Sequence, residues 1–199
     1  MARPHDKLLG AISLSRIAIA SIIIVIFDKD SVAISWTCVA LYVLGHLTDH
    51  ADGYIARNYS TPTDAGFMVD SVSDKLFQIG GLIPIHLYFG LSIMLLWIVL
   101  VREFFVVGLF SFIDISDAKI VWYISRYTYV FAGAIRATTL CYFFVPIVSK
   151  TEPSLASYLM QAGFAGYVVA IAASLVTIVH MYKASRTMKV RKLIDGADN

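Results

Sequence analysis

Leu76-Phe77-Gln78-Ile79-Gly80-Gly81-Leu82-Ile83-Pro84-Ile85-His86-Leu87-Tyr88-Phe89-Gly90-Leu91-Ser92-Ile93-Met94-Leu95-Leu96-Trp97-Ile98-Val99-Leu100-Val101 runs for 26 residues without an Asp, Glu, Lys or Arg. A helix rises about 1.5 Å per residue and the hydrocarbon core of a bilayer is about 30 Å thick, so roughly 20 apolar residues cross it. Arg102 is followed by further apolar sequence to Phe112. The whole stretch is too long for one crossing and suits the end of one and the start of the next. The segment Pro84–Gly90 holds the natural turn, because Pro and Gly punctuate a helical pattern. Similar runs lie on both sides. Leu8–Phe27 carries one charge, Arg16, and Val32–Leu47 continues as helix into the polar stretch Thr48–Arg57. Tyr127–Ser149 is interrupted by Arg136, and Pro153–Tyr182 opens on a proline suited to a helix start. The reading is an all-α integral membrane protein of six transmembrane helices. It forms a single domain over residues 1–199, with neither repeats nor low-complexity segments.

Composition agrees. Of 199 residues, 58% are hydrophobic and 15% charged, against roughly 45–50% and about 25% in soluble domains. This excludes a disordered chain or a nucleic-acid module, and a mean hydropathy of +0.74 argues against a water-soluble globule. Cys38 and Cys141 lie in apolar runs, with no disulfide or metal spacing, and read as small buried side chains. Arg3 and Lys7 precede the first run as in a signal peptide. The run exceeds the usual h-region of about 7–15 residues, and Asp28-Lys29-Asp30 follows it instead of a cleavage site. An uncleaved first span is expected.

Lys and Arg in the short loops set the orientation. One side would carry Arg3, Lys7, Arg57, Lys119, Arg126 and the tail residues Lys183, Arg186, Lys189, Arg191 and Lys192. The other would carry only Lys29 and Lys150. Both termini are therefore expected in the cytoplasm, with a basic tail over 183–199 that can also rest on anionic membrane lipids.

The chemistry concentrates between the second and third runs, at residues 49–74. The sequence reads Asp49-His50-Ala51-Asp52-Gly53-Tyr54-Ile55-Ala56-Arg57, then eight residues, then Gly66-Phe67-Met68-Val69-Asp70-Ser71-Val72-Ser73-Asp74-Lys75. On a helix, Asp49 and Asp52 share a face with Gly53 and Ala56, and Gly66, Asp70 and Asp74 form one stripe at steps of four. Four carboxylates facing one another near a membrane are costly unless cations hold them together. Oxygen ligands without Cys favour Mg²⁺, Mn²⁺ or Ca²⁺ over zinc. Two such ions about 3.5–4 Å apart can clamp the attacking and leaving oxygens of a phosphoryl-type displacement. The small residues leave room for a ligand's phosphates or base. The plainer alternative is that the carboxylates cap helices and pair with Arg57 and Lys75.

The pattern Asp49-x-x-Asp52-Gly53-x-x-Ala56-Arg57-x8-Gly66-x3-Asp70-x3-Asp74 resembles the complete signature of the CDP-alcohol phosphotransferase (CDP-alcohol phosphatidyltransferase) family. The resemblance implies a membrane phospholipid-synthesis enzyme of the inner or plasma membrane, built round a cytoplasm-facing polar cavity. Such an enzyme displaces CMP from CDP-diacylglycerol with an alcohol, and is a homodimer. It implies that Asp49, Asp52, Asp70 and Asp74 hold two divalent cations, Mg²⁺ or Mn²⁺, and that Asp74 is also the base. Asp49, Asp52, Gly53, Ala56, Arg57 and Gly66 would bind the cytidine diphosphate.

The acceptor is less determined. Lys75 and the stretch Val101-Arg102-Glu103-Phe104-Phe105-Val106-Val107-Gly108-Leu109 resemble the phosphatidylglycerophosphate synthases of that family, which take glycerol 3-phosphate. Arg102, Arg126 and Arg136 are the cations available to a phosphorylated acceptor, and Arg suits bidentate phosphate binding. An ion pair with Glu103 is the alternative for Arg102, and snorkelling for Arg136. Ser71 replaces a usual Pro, Ser125-Arg126-Tyr127-Thr128-Tyr129 replaces a Gly-Lys-x-Lys-Thr run, and Phe110 replaces an Arg. An inositol phosphate or an uncharged alcohol therefore stays open. His46 and His50 have the spacing of a zinc pair but lack a third ligand, and read as helical hydrogen-bonding residues. A divalent-cation transporter using the same carboxylates is the reading of another class. It lacks the inverted repeats and broken helices such proteins carry.

Overall fold

A computed structural model describes the backbone of residues 4–59, 64–112 and 118–187, and the side chains of 11–51, 69–106 and 125–182. Among these residues there are six α-helices and no strand: α1 Pro4–Ile26, α2 Val32–Tyr59, α3 Asp64–Phe89, α4 Ile93–Phe112, α5 Ala118–Ser149 and α6 Pro153–Thr187. Local chemistry sets several ends. The Ser31 hydroxyl accepts the Ile34 amide at the start of α2 (3.4 Å), as helix N-caps do. Pro153 opens α6 as the sequence predicts, where its missing N–H costs nothing.

Two boundaries differ from expectation. Of the expected turn segment Pro84–Gly90 only the last residue turns: α3 runs through Pro84 to Phe89, and the turn begins at Gly90, whose φ of +70° is left-handed. Proline removes one backbone bond but need not end a helix that neighbours support, whereas a left-handed residue ends it and favours glycine. Helix α5 begins at Ala118, so Lys119 and Arg126 belong to a helix and not to a loop. Apolarity marks where a helix can meet lipid, not where it starts.

Among the described residues, Val32–Ala51, Ser125–Ser149 and Pro153–Tyr182 are long and apolar enough to cross a membrane, and Ala11–Ile26 is a shorter apolar stretch. Val25, Leu87, Met94, Trp97 and Tyr129 point outward, each more than 60% exposed. A hydrocarbon solvent accepts such a surface; water penalises it.

Inside, an aromatic core joins four helices. Phe27, just past the end of α1, stacks on Phe143 of α5 (5.2 Å between centroids), and Tyr42 of α2 stacks on Phe77 of α3 (5.2 Å). Close approach of α1 and α3 depends on small residues. A Cβ at Gly80 would lie 2.6 Å from Ala20 Cβ, so glycine is what lets these helices meet. The α1–α2, α3–α4 and α5–α6 turns gather at one end. There Lys150 Nζ donates to the Asp30 carbonyl (3.1 Å) and the Phe27 ring meets Tyr88 (5.4 Å). Beside them, the Tyr167 hydroxyl of α6 bonds His86 Nε2 (3.0 Å), and His86 Nδ1 donates to the Leu91 carbonyl (3.1 Å).

Candidate active site

The aspartates lie on the other halves of α2 and α3. Asp49 stands on α2; Asp70 and Asp74 are one turn apart on α3. Their side chains converge on a group that the signature does not contain, Arg16 of α1. Arg16 is fully buried. Its Nη1 donates to Asp49 Oδ1 (2.6 Å), its Nη2 pairs with Asp70 Oδ1, and its Nη1 lies 3.9 Å from Asp74 Oδ1. Ser13, one turn earlier on α1, donates to the same Asp70 oxygen (3.4 Å). The sequence marked Arg16 only as a lone charge in an apolar run. That an arginine inside a span needs a partner or a wet cavity was the available signal.

Asp74 has a second set of partners. Its Oδ2 accepts from Gln78 Nε2 (3.1 Å), one turn along α3, and lies 3.4 Å from Lys75 Nζ. Its Oδ1 is buried and accepts no hydrogen bond. Asp52, Gly53, Ala56 and Arg57 are on α2 and Gly66 is on α3, but their side chains lie outside the described residues. Among the described residues no three His, Cys, Asp or Glu form a metal-binding group; Asp52 is not among them. The described donors are oxygen ligands of the kind a hard divalent ion takes, and in this structure the Arg16 guanidinium draws them together. Three carboxylates from two helices lie within 4 Å of that guanidinium, and the buried Oδ1 of Asp74 accepts no hydrogen bond.

Lys75 links this cluster to a second one. Its Nζ pairs with Glu103 Oε2 of α4 (2.8 Å), and Glu103 also pairs with Arg102. Arg102 and Glu103 are both almost wholly buried. The Arg102 guanidinium lies 4.0 Å from the centre of the Phe131 ring of α5 and donates to Thr128 Oγ1 (3.1 Å). Of the alternatives open for Arg102, this geometry is the ion pair with Glu103. Arg136 of α5 is half-buried, and its Nε makes no hydrogen bond. Its charge acts on Asp49 and His46. Arg126 is exposed on the same helix. The three candidate acceptor cations thus stand in different surroundings: Arg102 is paired, Arg136 half-buried and Arg126 exposed.

Of His46 and His50, only His50 is the helical hydrogen-bonding residue expected; both ring nitrogens of His46 are buried without a hydrogen bond. His50 Nδ1 donates to the His46 carbonyl (2.9 Å). The His46 ring packs edge-on against Tyr42 and Phe77 (4.7 and 5.1 Å). Cys38 is buried and Cys141 half-buried, both as free thiols.

Comparison with known proteins agrees with the signature. The profile of the CDP-alcohol phosphatidyltransferase family matches residues 10–190. A Rickettsia bellii protein named CDP-diacylglycerol–glycerol-3-phosphate 3-phosphatidyltransferase is 31% identical over 115 residues, covering 58% of this chain and 64% of its own length. A Rickettsia prowazekii protein of that name is 31% identical over 120 residues, 59% of this chain and 65% of its own. A third from Cereibacter sphaeroides is 35% identical over 81 residues, 39% of this chain and 37% of its own. The chain thus spans less than two thirds of the length of these curated relatives. The family match covers nearly the whole bundle and includes the helices that carry Arg16, the aspartates, Glu103 and Arg136. This chain belongs to the CDP-alcohol phosphatidyltransferase family.

Proposed function

We propose that this chain transfers a phosphatidyl group from CDP-diacylglycerol to glycerol 3-phosphate and releases CMP. The observation that carries the reading is the convergence of Asp49, Asp70 and Asp74, three of the signature's four aspartates, on the buried guanidinium of Arg16. The names of the relatives support glycerol 3-phosphate as the acceptor. Asp49, Asp52, Asp70 and Asp74 would hold two divalent cations, Mg²⁺ or Mn²⁺. When bound, such ions neutralise the diphosphate and polarise the phosphorus and the departing CMP.

The remaining work falls to side chains. The acceptor hydroxyl attacks the β-phosphorus of CDP-diacylglycerol, the one that bears the diacylglycerol. A new P–O bond forms as the P–O bond to CMP breaks, and Asp74 takes the hydroxyl proton. A carboxylate suffices because the proton leaves only in the transition state. Gly53, Ala56, Arg57 and Gly66 shape the cytidine diphosphate pocket. Arg136, with Arg126 nearer the start of α5, receives the acceptor's phosphate; Arg102 is already engaged by Glu103. Six helices cross the inner or plasma membrane with both termini cytoplasmic, and the chain works as a homodimer.

Purified protein with CDP-diacylglycerol and Mg²⁺ or Mn²⁺ tests this by CMP release against a panel of alcohols. Glycerol 3-phosphate should be the best acceptor. Preference for an inositol phosphate, glycerol, inositol or serine would overturn the acceptor, and no release with any alcohol would overturn the chemistry. Divalent-cation flux into vesicles without CMP release would favour a transporter.

A further inference from the structure

Arg16 stands outside the family signature, yet it is the point on which Asp49, Asp70 and Asp74 meet. We propose that Arg16 is the internal counter-cation of this site: it holds the carboxylates of α2 and α3 together in the metal-free chain, so that folding does not require divalent ions. The part of this inference that concerns metal rests on the reading of the preceding section.

The argument is electrostatic. Carboxylates gathered from two helices repel one another, and the repulsion grows as the surroundings become less polar. In many metal sites the compensating charge arrives only with the ion, and the apo protein loses its fold. Here α1 brings a charge of its own. A guanidinium stays protonated and offers donors in a planar fork, so one side chain can serve two carboxylates. Arg16 does so, with Nη1 on Asp49 and Nη2 on Asp70. A lysine ammonium is a more compact, more strongly hydrated point charge and would bridge them less well. The backbone contact between Ala20 and Gly80, one turn beyond Arg16 on α1, sets the distance from which the side chain reaches α3. Lys75 attends to the far oxygen of Asp74 and to Glu103, so it does not duplicate this role.

The test is thermal unfolding of the full chain in detergent micelles, in EDTA and in saturating Mn²⁺. Removing the buried guanidinium that pairs these carboxylates should lower the Tm of Arg16→Gln in EDTA by about 6–20 °C relative to wild type. Mn²⁺ should close more than half of that gap, since the ion supplies the missing charge, and Arg16→Lys should fall between the two. A second arm needs no metal. In EDTA, the double variant Arg16→Gln/Asp70→Asn should be more stable than Arg16→Gln, because one uncompensated carboxylate has gone. If wild type responds to Mn²⁺ while the Arg16→Gln gap stays equal in both conditions, Arg16 is a packing residue and the proposal fails. It fails equally if the double variant is no more stable than the single one. If wild type itself does not respond to Mn²⁺, the metal reading fails, and the double variant alone decides the role of Arg16.

Discussion

Arg16 and Arg102 are both buried arginines inside apolar helices, and they use the same guanidinium in opposite ways. Arg102 is enclosed. It pairs with the neighbouring Glu103, which Lys75 also holds, and it is covered by Phe131 and bonded to Thr128. Two cations share one carboxylate within that group, so no negative charge is left over. Arg16 is shared. Among the described residues one cation serves three carboxylates from two other helices, leaving an excess of negative charge at the point of contact. A closed ion pair fastens helices together, while an under-compensated cluster invites further cations. Burial of an arginine does not tell the two apart; the count of its partners does.

That contrast can be broken at either end. The largest effect is expected at the shared cluster. Asp49→Asn or Asp70→Asn should abolish CMP release while the protein still inserts and purifies normally. Near wild-type turnover at saturating Mg²⁺ or Mn²⁺ would remove that residue from the ligand set. Asp74→Asn should keep CDP-diacylglycerol binding and lose about 10²–10⁴-fold in turnover, the usual cost of a missing general base. A loss below about tenfold would leave Asp74 a ligand only.

At the enclosed cluster the sign of the comparison reverses. Glu103→Gln leaves Arg102 and Lys75 without their shared carboxylate, and should cost about 3–5 kcal/mol of stability in a denaturation titration. Turnover per folded molecule should change far less than in the aspartate variants. A raised KM for the acceptor would instead place Arg102 and its partners in the acceptor pocket and erase the distinction. The smallest effect is expected at Arg136. Arg136→Ala should lower kcat/KM for glycerol 3-phosphate by about 10–100-fold, the loss of one charge-assisted hydrogen bond, with the KM for CDP-diacylglycerol nearly unchanged.

Much of the site could be read before any fold was known, because a helix makes spacing into geometry. Asp70 and Asp74 four apart, and Asp49 and Asp52 three apart, share faces whatever the helices pack against. The apolar runs likewise marked the helices, and Pro153 marked a start. The errors lay where local signals compete. Pro84 reads as a breaker, yet the helix continues to a left-handed Gly90. Lys119 and Arg126 read as loop, yet they continue α5 toward its start.

Sequence by itself therefore determined an all-helical, lipid-compatible chain and a face of carboxylates suited to hard cations. Only the tertiary structure decided which cation each carboxylate meets. Arg16 is 33 residues from Asp49 and 54 from Asp70, and no periodicity spans such distances. Their meeting depends on how closely and in what register α1 lies against α2 and α3, which the packing of Ala20 on Gly80 and of Phe27, Tyr42, Phe77 and Phe143 sets jointly. Backbone hydrogen bonds make each helix a local property of its own residues. The crossing of two helices belongs to all the side chains between them.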